Sequence, residues 1–518
     1  MSDKEKADMK LLLEALIVGI CTGIIIGLFR YGISQTTGFW LNIFRLAHNN
    51  AMWLIAIVVG FIATDVIAGY FVKQYPHVGG SGIPEVKLQL EGKLSLRWFP
   101  ILWRKFISSI LVIGTGLFLG PEGPSLQLGS NIGQGVSEGF KQNKTNSRVL
   151  LATGAASGLS AAFGAPLSGV LFMLETIFHN FSPRVGINAL AGALASNFVT
   201  SNIFGQQPVL AIAYDHPFPV VLYWHLLILG IILGLLGHFY KMGLFSCKKL
   251  YAKIEFLPHW LLGLIPLAIL IPIAYFLPLI TGPGSRLILD LPEMVTKTGW
   301  IMLGTLVFFY LLRLVFSIIS YDSGLPSGVF LPVLTMGALI GAIYGLFMVQ
   351  LHLLPRVLVV NLIIFSMAGS FAAVIRAPFT AIILITEMVG SLLHLMPLAV
   401  VAFIALFTDQ LLGGKPIYDS LAQAMEGKNG VSKTASGYGD QLTVPVYEPS
   451  QLVGKKVAEI KWPKGTLVKV IHRSSQDIIP NGQTEILAGD MLVLAVDSGQ
   501  RGEVYNAMIK LQEVKFDG

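Results

Sequence analysis

"GLFLGPEGPSLQLGSNIG" runs from Gly116 to Gly133, and "GLPSGVFLPVLTMGALIG" runs from Gly324 to Gly341. In one register, Gly116, Gly120, Pro124, Gly129 and Gly133 fall on Gly324, Gly328, Pro332, Gly337 and Gly341. A second pair agrees. "APLSGVLFMLE" (Ala165–Glu175) matches "APFTAIILITE" (Ala377–Glu387), with Glu nine residues after Pro in each. The chain therefore contains two halves built on one plan. In membrane proteins such halves are commonly inverted, and their corresponding Gly/Pro-interrupted segments mark a binding site. The glycines at 129, 133, 337 and 341 also suit close helix packing. Packing alone does not account for Pro and Gly clustering just before each helix.

Composition places the repeat in lipid. Of 518 residues, 54% are hydrophobic and only 13% charged, against about 25% charged in a soluble domain. Mean hydropathy is +0.69. Long apolar runs lie at Leu11–Phe29, Trp53–Phe71, Trp224–Leu236, Trp260–Ile280, Trp300–Ile319 and Leu395–Phe407. Several reach the roughly 20 residues that span a bilayer; others are short or broken, so hydropathy does not fix the number of spans. The charged start "MSDKEKADMK" (residues 1–10) reads as a segment before a retained first helix, not a signal peptide. Cys21 and Cys247 are far apart and offer neither a disulfide framework nor metal-ligand spacing. The net charge of +7 fits basic loops on the inner side, with "KQNKTNSR" (Lys141–Arg148) the clearest, rather than nucleic-acid binding.

The composition changes after Tyr418. A polar linker is expected over 423–440, after a membrane domain spanning 11–422. A small α+β domain follows over 441–518, with strands in "LTVPVY", "GTLVKVIHR" and "MLVLAVD" and turns at Asn481-Gly482 and Gly489-Asp490. "RGEVYNAMIKLQEV" reads as its closing helix.

The broken segments carry the chemistry. "GSGIPE" (Gly80–Glu85), "GPEGPS" (Gly120–Ser125) and "SGVFLP" (Ser327–Pro332) each read as a loop entering a helix. Helix N-termini present unpaired N–H groups and the positive end of the dipole. Three of them aimed at one point make an anion site with no full positive charge, as a permeation path needs. Ser81 and Tyr418 add hydroxyl donors; taken singly, the first reads as an N-cap and the second as an interfacial aromatic.

"GSGIPE", "GPEGP", "GVFLP" and the late "GGKPIY", in that order, resemble the four signature segments of the CLC family of chloride channels and chloride/proton antiporters. The resemblance implies an all-α polytopic membrane fold with an inverted repeat and broken helices. It implies a homodimer with one pore per subunit, in the cell membrane, with both termini cytoplasmic. It assigns chloride binding to Ser81, Tyr418 and the backbone near Val329 and Phe330, and gating with outer-side proton transfer to Glu122. A buried carboxylate is itself a tethered anion that can hold the place of chloride until protonated. Residues 452–496 resemble a TrkA-C (RCK C-terminal) domain, which implies a dimerising module or a site for an unidentified small ligand.

One departure stands out. Where antiporters of the family often carry "LFxxEE", this chain has "LFMLETIF": Glu175 matches the first Glu, and Thr176 replaces the second, inner proton-transfer Glu. Thr is not an acid. Water, or His179 on the same helical face, offers a substitute, and Thr176, Glu175 and His179 are the candidates for the inner proton path. Glu175 and its repeat mate Glu387 are expected to serve structure at helix ends or a subunit interface. Chloride/proton antiport is the expected activity, with a passive chloride channel as the alternative. A potassium-system protein lacks support, as no "TVGYG"-like filter occurs. No enzyme constellation, metal cluster or cofactor motif is present in the sequence; chloride and protons are the expected ligands.

Overall fold

A computed structural model describes residues 3–178, 182–212, 216–296, 299–428, 440–446, 450–473 and 476–496, with positions 504, 507, 508 and 511. The chain divides into two compact units, Met1–Met425 and Glu426–Gly518.

The first unit is helical and repeats itself. Its first half comprises α1 (Asp3–Asn49), α2 (Met52–Gln74), α3 (Ile83–Leu90), α4 (Trp98–Gly114), α5 (Glu122–Gly139), α6 (Lys144–Phe163), α7 (Pro166–Phe172) and α8 (Pro183–Phe204). A π-helical turn, Met173–Phe178, extends α7. The second half comprises α9 (Trp224–Tyr251), α10 (Leu264–Phe276), α11 (Ser285–Met294), α12 (Trp300–Asp322), α13 (Phe330–Gln350), α14 (Val359–Ile375), α15 (Pro378–Val389) and α16 (Leu395–Leu411). Then α17 (Ile417–Lys428) follows. Among the described residues, seven helical stretches are long and apolar enough to cross a membrane. Others, such as α15 and α16, are shorter. This is a multi-pass membrane protein with broken helices.

Small residues set the core. The α5–α6 and α13–α14 pairs pack most extensively in the unit. A Cβ at Gly129 would lie 2.0 Å from the Gly154 carbonyl oxygen, and one at Gly133 2.1 Å from that of Leu150. In the second half, Cβ atoms at Gly337 and Gly341 would lie 2.5 and 2.3 Å from the Ser366 and Leu362 oxygens. The packing role expected of these four glycines is therefore real, and it holds in both halves. The halves also agree in their dihedral angles. Gly164 caps α6 at φ 65°, and Arg376 caps α14 at φ 66°. Each is followed by an Ala-Pro entry, with Ala165 at φ −127°, ψ 77° and Ala377 at φ −126°, ψ 76°.

Several boundaries differ from the sequence reading. Residues 3–10 are not a separate segment but the first turns of α1, a 47-residue helix; their charges do not interrupt its helical backbone. The run Trp260–Ile280 is shorter as a span, His259–Phe276: a 3₁₀ turn at His259–Leu261, entered after Pro258, leads into α10, and a second, begun by Pro278, follows it. The first part of the expected linker is helical, as α17 continues to Lys428; residues 429–439 lie outside the described residues.

The second unit holds β1 (Asp440–Pro445), β2 (Thr466–Arg473), β3 (Gln476–Ile478) and β4 (Met491–Val496). They pair antiparallel in the order β1-β4-β2-β3. Leu492, Leu494 and Val496 alternate inward along β4 and pack with Leu442, Val444 and Ile471. Strand β3 is an addition to the three strands read from the sequence. Most of the expected closing helix lies outside the described residues, although Val504 and Met508 join this core.

Candidate anion site

The broken segments meet. Gly120 and Gly328, repeat mates, form a two-residue antiparallel bridge: Gly120 N–H donates to the Gly328 oxygen at 2.7 Å, and Gly328 N–H returns at 2.8 Å. The loop before α3 joins them, as Ser327 N–H donates to the Gly80 oxygen at 3.0 Å. Gly123 has no room for a side chain, since a Cβ there would lie 2.5 Å from the Ser81 carbonyl oxygen. Gly82 takes φ 83° to turn the chain into α3, a conformation that glycine adopts without strain. The starts of α3, α5 and α13 thus gather at one place. Their free N–H groups and dipoles make that place favourable for an anion.

The expected site residues stand around it. Ser81 is buried, and its Oγ accepts the Ile83 N–H at 3.3 Å. Gly82, not Ser81, is the N-cap of α3, and no side chain caps it. The N-cap reading of Ser81 is thereby corrected: Ser81 stands one residue earlier, and its hydroxyl hydrogen remains a donor. Val329 is the N-cap of α13, and Phe330 its first residue. Tyr418, in the first turn of α17, is fully buried, and its hydroxyl meets no hydrogen-bond partner among the described residues. The Phe172 ring links the two elements, 6.0 Å from the Tyr418 ring and 5.9 Å from that of Phe330.

Glu122 opens α5 and is wholly buried. Its carboxylate lies against its own backbone N–H and that of Leu331 in α13, yet neither oxygen completes a well-aligned hydrogen bond. A carboxylate at a second helix's N-terminus occupies a position that suits a free anion.

Two buried cations brace the loops, and the sequence reading missed both. Lys105 Nζ donates to the carbonyls of Val78, Gly79 and Gly80 at 2.9, 3.3 and 2.7 Å. Arg313 does the same in the second half, donating to Ile280, Gly282 and Pro283 at 2.7, 3.0 and 2.9 Å. Each lies 17 residues before a repeat mate at the site, Glu122 or Phe330. Extending the repeat backward would have found them. Lys87 of α3 also pairs with Asp419 of α17, beside Tyr418.

The expected inner proton path divides. Thr176 is buried in the π-helical turn, and its hydroxyl has no hydrogen-bond partner among the described residues. Glu175 is committed elsewhere: it accepts the Phe379 and Thr380 N–H groups at 3.1 and 2.8 Å and the Thr380 hydroxyl at 2.7 Å. Glu387 answers across the repeat, accepting the Leu167 and Ser168 N–H groups at 3.0 and 2.8 Å. Each caps the helix that carries the other. His179 lies outside the described residues. Among the described residues, no group of three His, Cys, Asp or Glu is placed to hold a metal.

The family described as "Voltage gated chloride channel" matches residues 64–410. This chain belongs to the voltage-gated chloride channel family. The TrkA-C domain matches residues 442–508. Among relatives, the H(+)/Cl(-) exchange transporter ClcA of Salmonella paratyphi B is 32% identical over 441 residues, covering 81% of this chain and 90% of that protein. ClcA of Salmonella typhimurium is 31% identical with the same coverage. A slow cyanobacterial Cl-/H+ antiporter superposes with a TM-score of 0.76 at 27% identity, over 81% of this chain and 99% of that one. A eukaryotic CLC transporter, at 22% identity and a TM-score of 0.67 over 80% of this chain and 74% of that one, shares the fold. The chloride channel family thus accounts for the membrane unit, and TrkA-C for the second.

Proposed function

We propose that this protein exchanges chloride for protons across the cell membrane, with Glu122 as the gate. The observation that carries this reading is the fully buried Glu122 carboxylate at the junction of α3, α5 and α13. When charged, it competes with chloride for the helix N-termini. When protonated, it loses that attraction and yields the place. Each chloride that enters therefore favours a proton on Glu122, which links the two ions by electrostatics alone. Ser81, Tyr418 and the backbone at Val329 and Phe330 bind the chloride. Relatives named as H(+)/Cl(-) exchangers support the coupled form. A passive chloride channel is the second reading, favoured by Thr176 in place of an inner acid; water in the inner half of the path serves the exchanger. By family resemblance the protein works as a homodimer with cytoplasmic termini, its TrkA-C units adding a dimer contact or a small-ligand site.

Purified protein in chloride-loaded liposomes tests this. A chloride gradient is expected to drive protons uphill, measured as external pH. No uphill movement would leave the channel reading. Glu122→Gln is expected to abolish proton movement while chloride still flows.

A further inference from the structure

A charge cluster away from the anion site has more cations than anions. Asp409 of α16 is fully buried and accepts Lys241 Nζ at 2.7 Å, Arg376 Nε at 3.2 Å and His238 Nδ1 at 3.2 Å. Lys241 spends its other donors on the carbonyls of Ala373 and Lys415 at 3.0 and 3.2 Å, which fixes it in place. Among the described residues of this cluster, one carboxylate thus faces an ammonium, a guanidinium and an imidazole. A cavity of about 480 Å³ opens beside it, lined by His238, Lys241, Met242, Phe245, Lys415 and Gln423. Lys415 adds a further positive charge at its wall. In surroundings of low dielectric an excess positive charge favours an incoming anion strongly.

The cavity's other wall says what kind of anion. Ile228, Ile231, Leu235, Phe239 and Met242 are all exposed along α9, at spacings that place them on one stripe of the helix. The stripe covers 14 residue steps, roughly 21 Å at 1.5 Å per residue, and its last member lines the cavity. That is room for an acyl chain leading to a charged head. Lys248 and Lys249 in the last turn of α9, with Lys253 beyond, place this end at the cytoplasmic face by the positive-inside rule. Basic pockets between helices on that face bind anionic headgroups.

We propose that the cavity seats the headgroup of an anionic phospholipid of the inner leaflet, with one acyl chain on the α9 stripe. Ser420 and Gln423 of α17 face the cavity, while Tyr418 on the same helix is buried beside Phe172. The lipid therefore holds the helix that carries a chloride ligand.

Native mass spectrometry of the full-length protein tests this, with phosphatidylglycerol and phosphatidylcholine of identical acyl chains as probes. Phosphatidylglycerol is expected to be retained in preference. Gln423→Glu puts a negative charge in the wall without touching the Asp409 cluster, and Lys415→Gln removes a positive one. Each is expected to weaken phosphatidylglycerol binding by about tenfold, with phosphatidylcholine unaffected. A thermal melt establishes that each variant is folded, and if one is not, the other carries the test. Equal retention of the two lipids overturns the proposal, as does unchanged phosphatidylglycerol binding in the folded variants. Displacement of the lipid by millimolar inorganic phosphate also overturns it, in favour of a soluble anion.

Discussion

Glu122 and Phe330 occupy equivalent positions, each the first residue of its helix, 208 residues apart. One half places a carboxylate there and the other a phenyl ring. The repeat is thus broken where the chemistry requires it and kept where geometry requires it. Lys105 and Arg313 are the kept part. Lys105→Met would leave the carbonyls of Val78, Gly79 and Gly80 without their donor, at about 1–3 kcal/mol for a buried unsatisfied group. Because those carbonyls shape the loop that holds Ser81, chloride affinity is expected to fall about tenfold by isothermal titration. Unchanged affinity would restrict Lys105 to stability. Much of this site was legible at the level of single residues, since Pro, Gly, Ser and Glu each announce a backbone geometry or a charge. The bracing cations were not, because a Lys or Arg in a largely apolar run gives no local sign of the carbonyls it meets across 25 or more residues of chain.

The helices were legible as apolar runs but not in their ends. Hydropathy reports where lipid or core begins, whereas a helix ends where its backbone bonds are satisfied. So α1 runs on through charged residues, and a single apolar run yields α10 with a 3₁₀ turn at each side. The caps on α7 and α15 were partly legible, since matched Glu residues at matched spacing implied a shared role at helix ends. What could not be read was that each half supplies the other's cap. Glu175→Gln is expected to lower stability by about 0.5–2 kcal/mol, the usual worth of a lost cap, while proton flux in liposomes stays intact. A matching loss of proton flux would return Glu175 to the proton path. Glycine packing gives a sharper contrast. Gly129→Ala forces a Cβ to 2.0 Å from a carbonyl oxygen, whereas nothing lies within 4 Å of one at Gly139. The first is expected to lose about 1–3 kcal/mol by overpacking and the second to melt as the wild type does.

At the scale of the whole molecule, the division into a membrane unit and a small sheet unit was legible as a change of composition, and the internal repeat as a coincidence of Gly and Pro. Strand β3 was not, being three residues long with an acidic centre. The sheet unit carries a pH-dependent tie. Arg473 donates to both Asp490 oxygens at 2.8 Å, and the Leu487 N–H donates to one of them at 2.8 Å. Burial alone would raise the Asp490 pKa, but these partners outweigh it and hold it below the ordinary carboxylate value. A depressed carboxylate adds stability above its unfolded pKa of about 3.9 and loses it as pH falls through the folded value. Asp490→Asn is therefore expected to lower this unit's melting point at pH 7, measured by calorimetry on the full chain. The difference should close only below about pH 4. In the membrane unit, the Gly120–Gly328 bridge fastens the two halves together beside the site itself. A carrier that exposes its cargo by rocking must part its halves there, and this one is stitched. With Glu122 as the proposed gate, the cycle can run on a side-chain swing that leaves this bridge closed, so turnover should respond only shallowly to bilayer thickness, which opposes rigid-body motion but not the rotation of a single carboxylate.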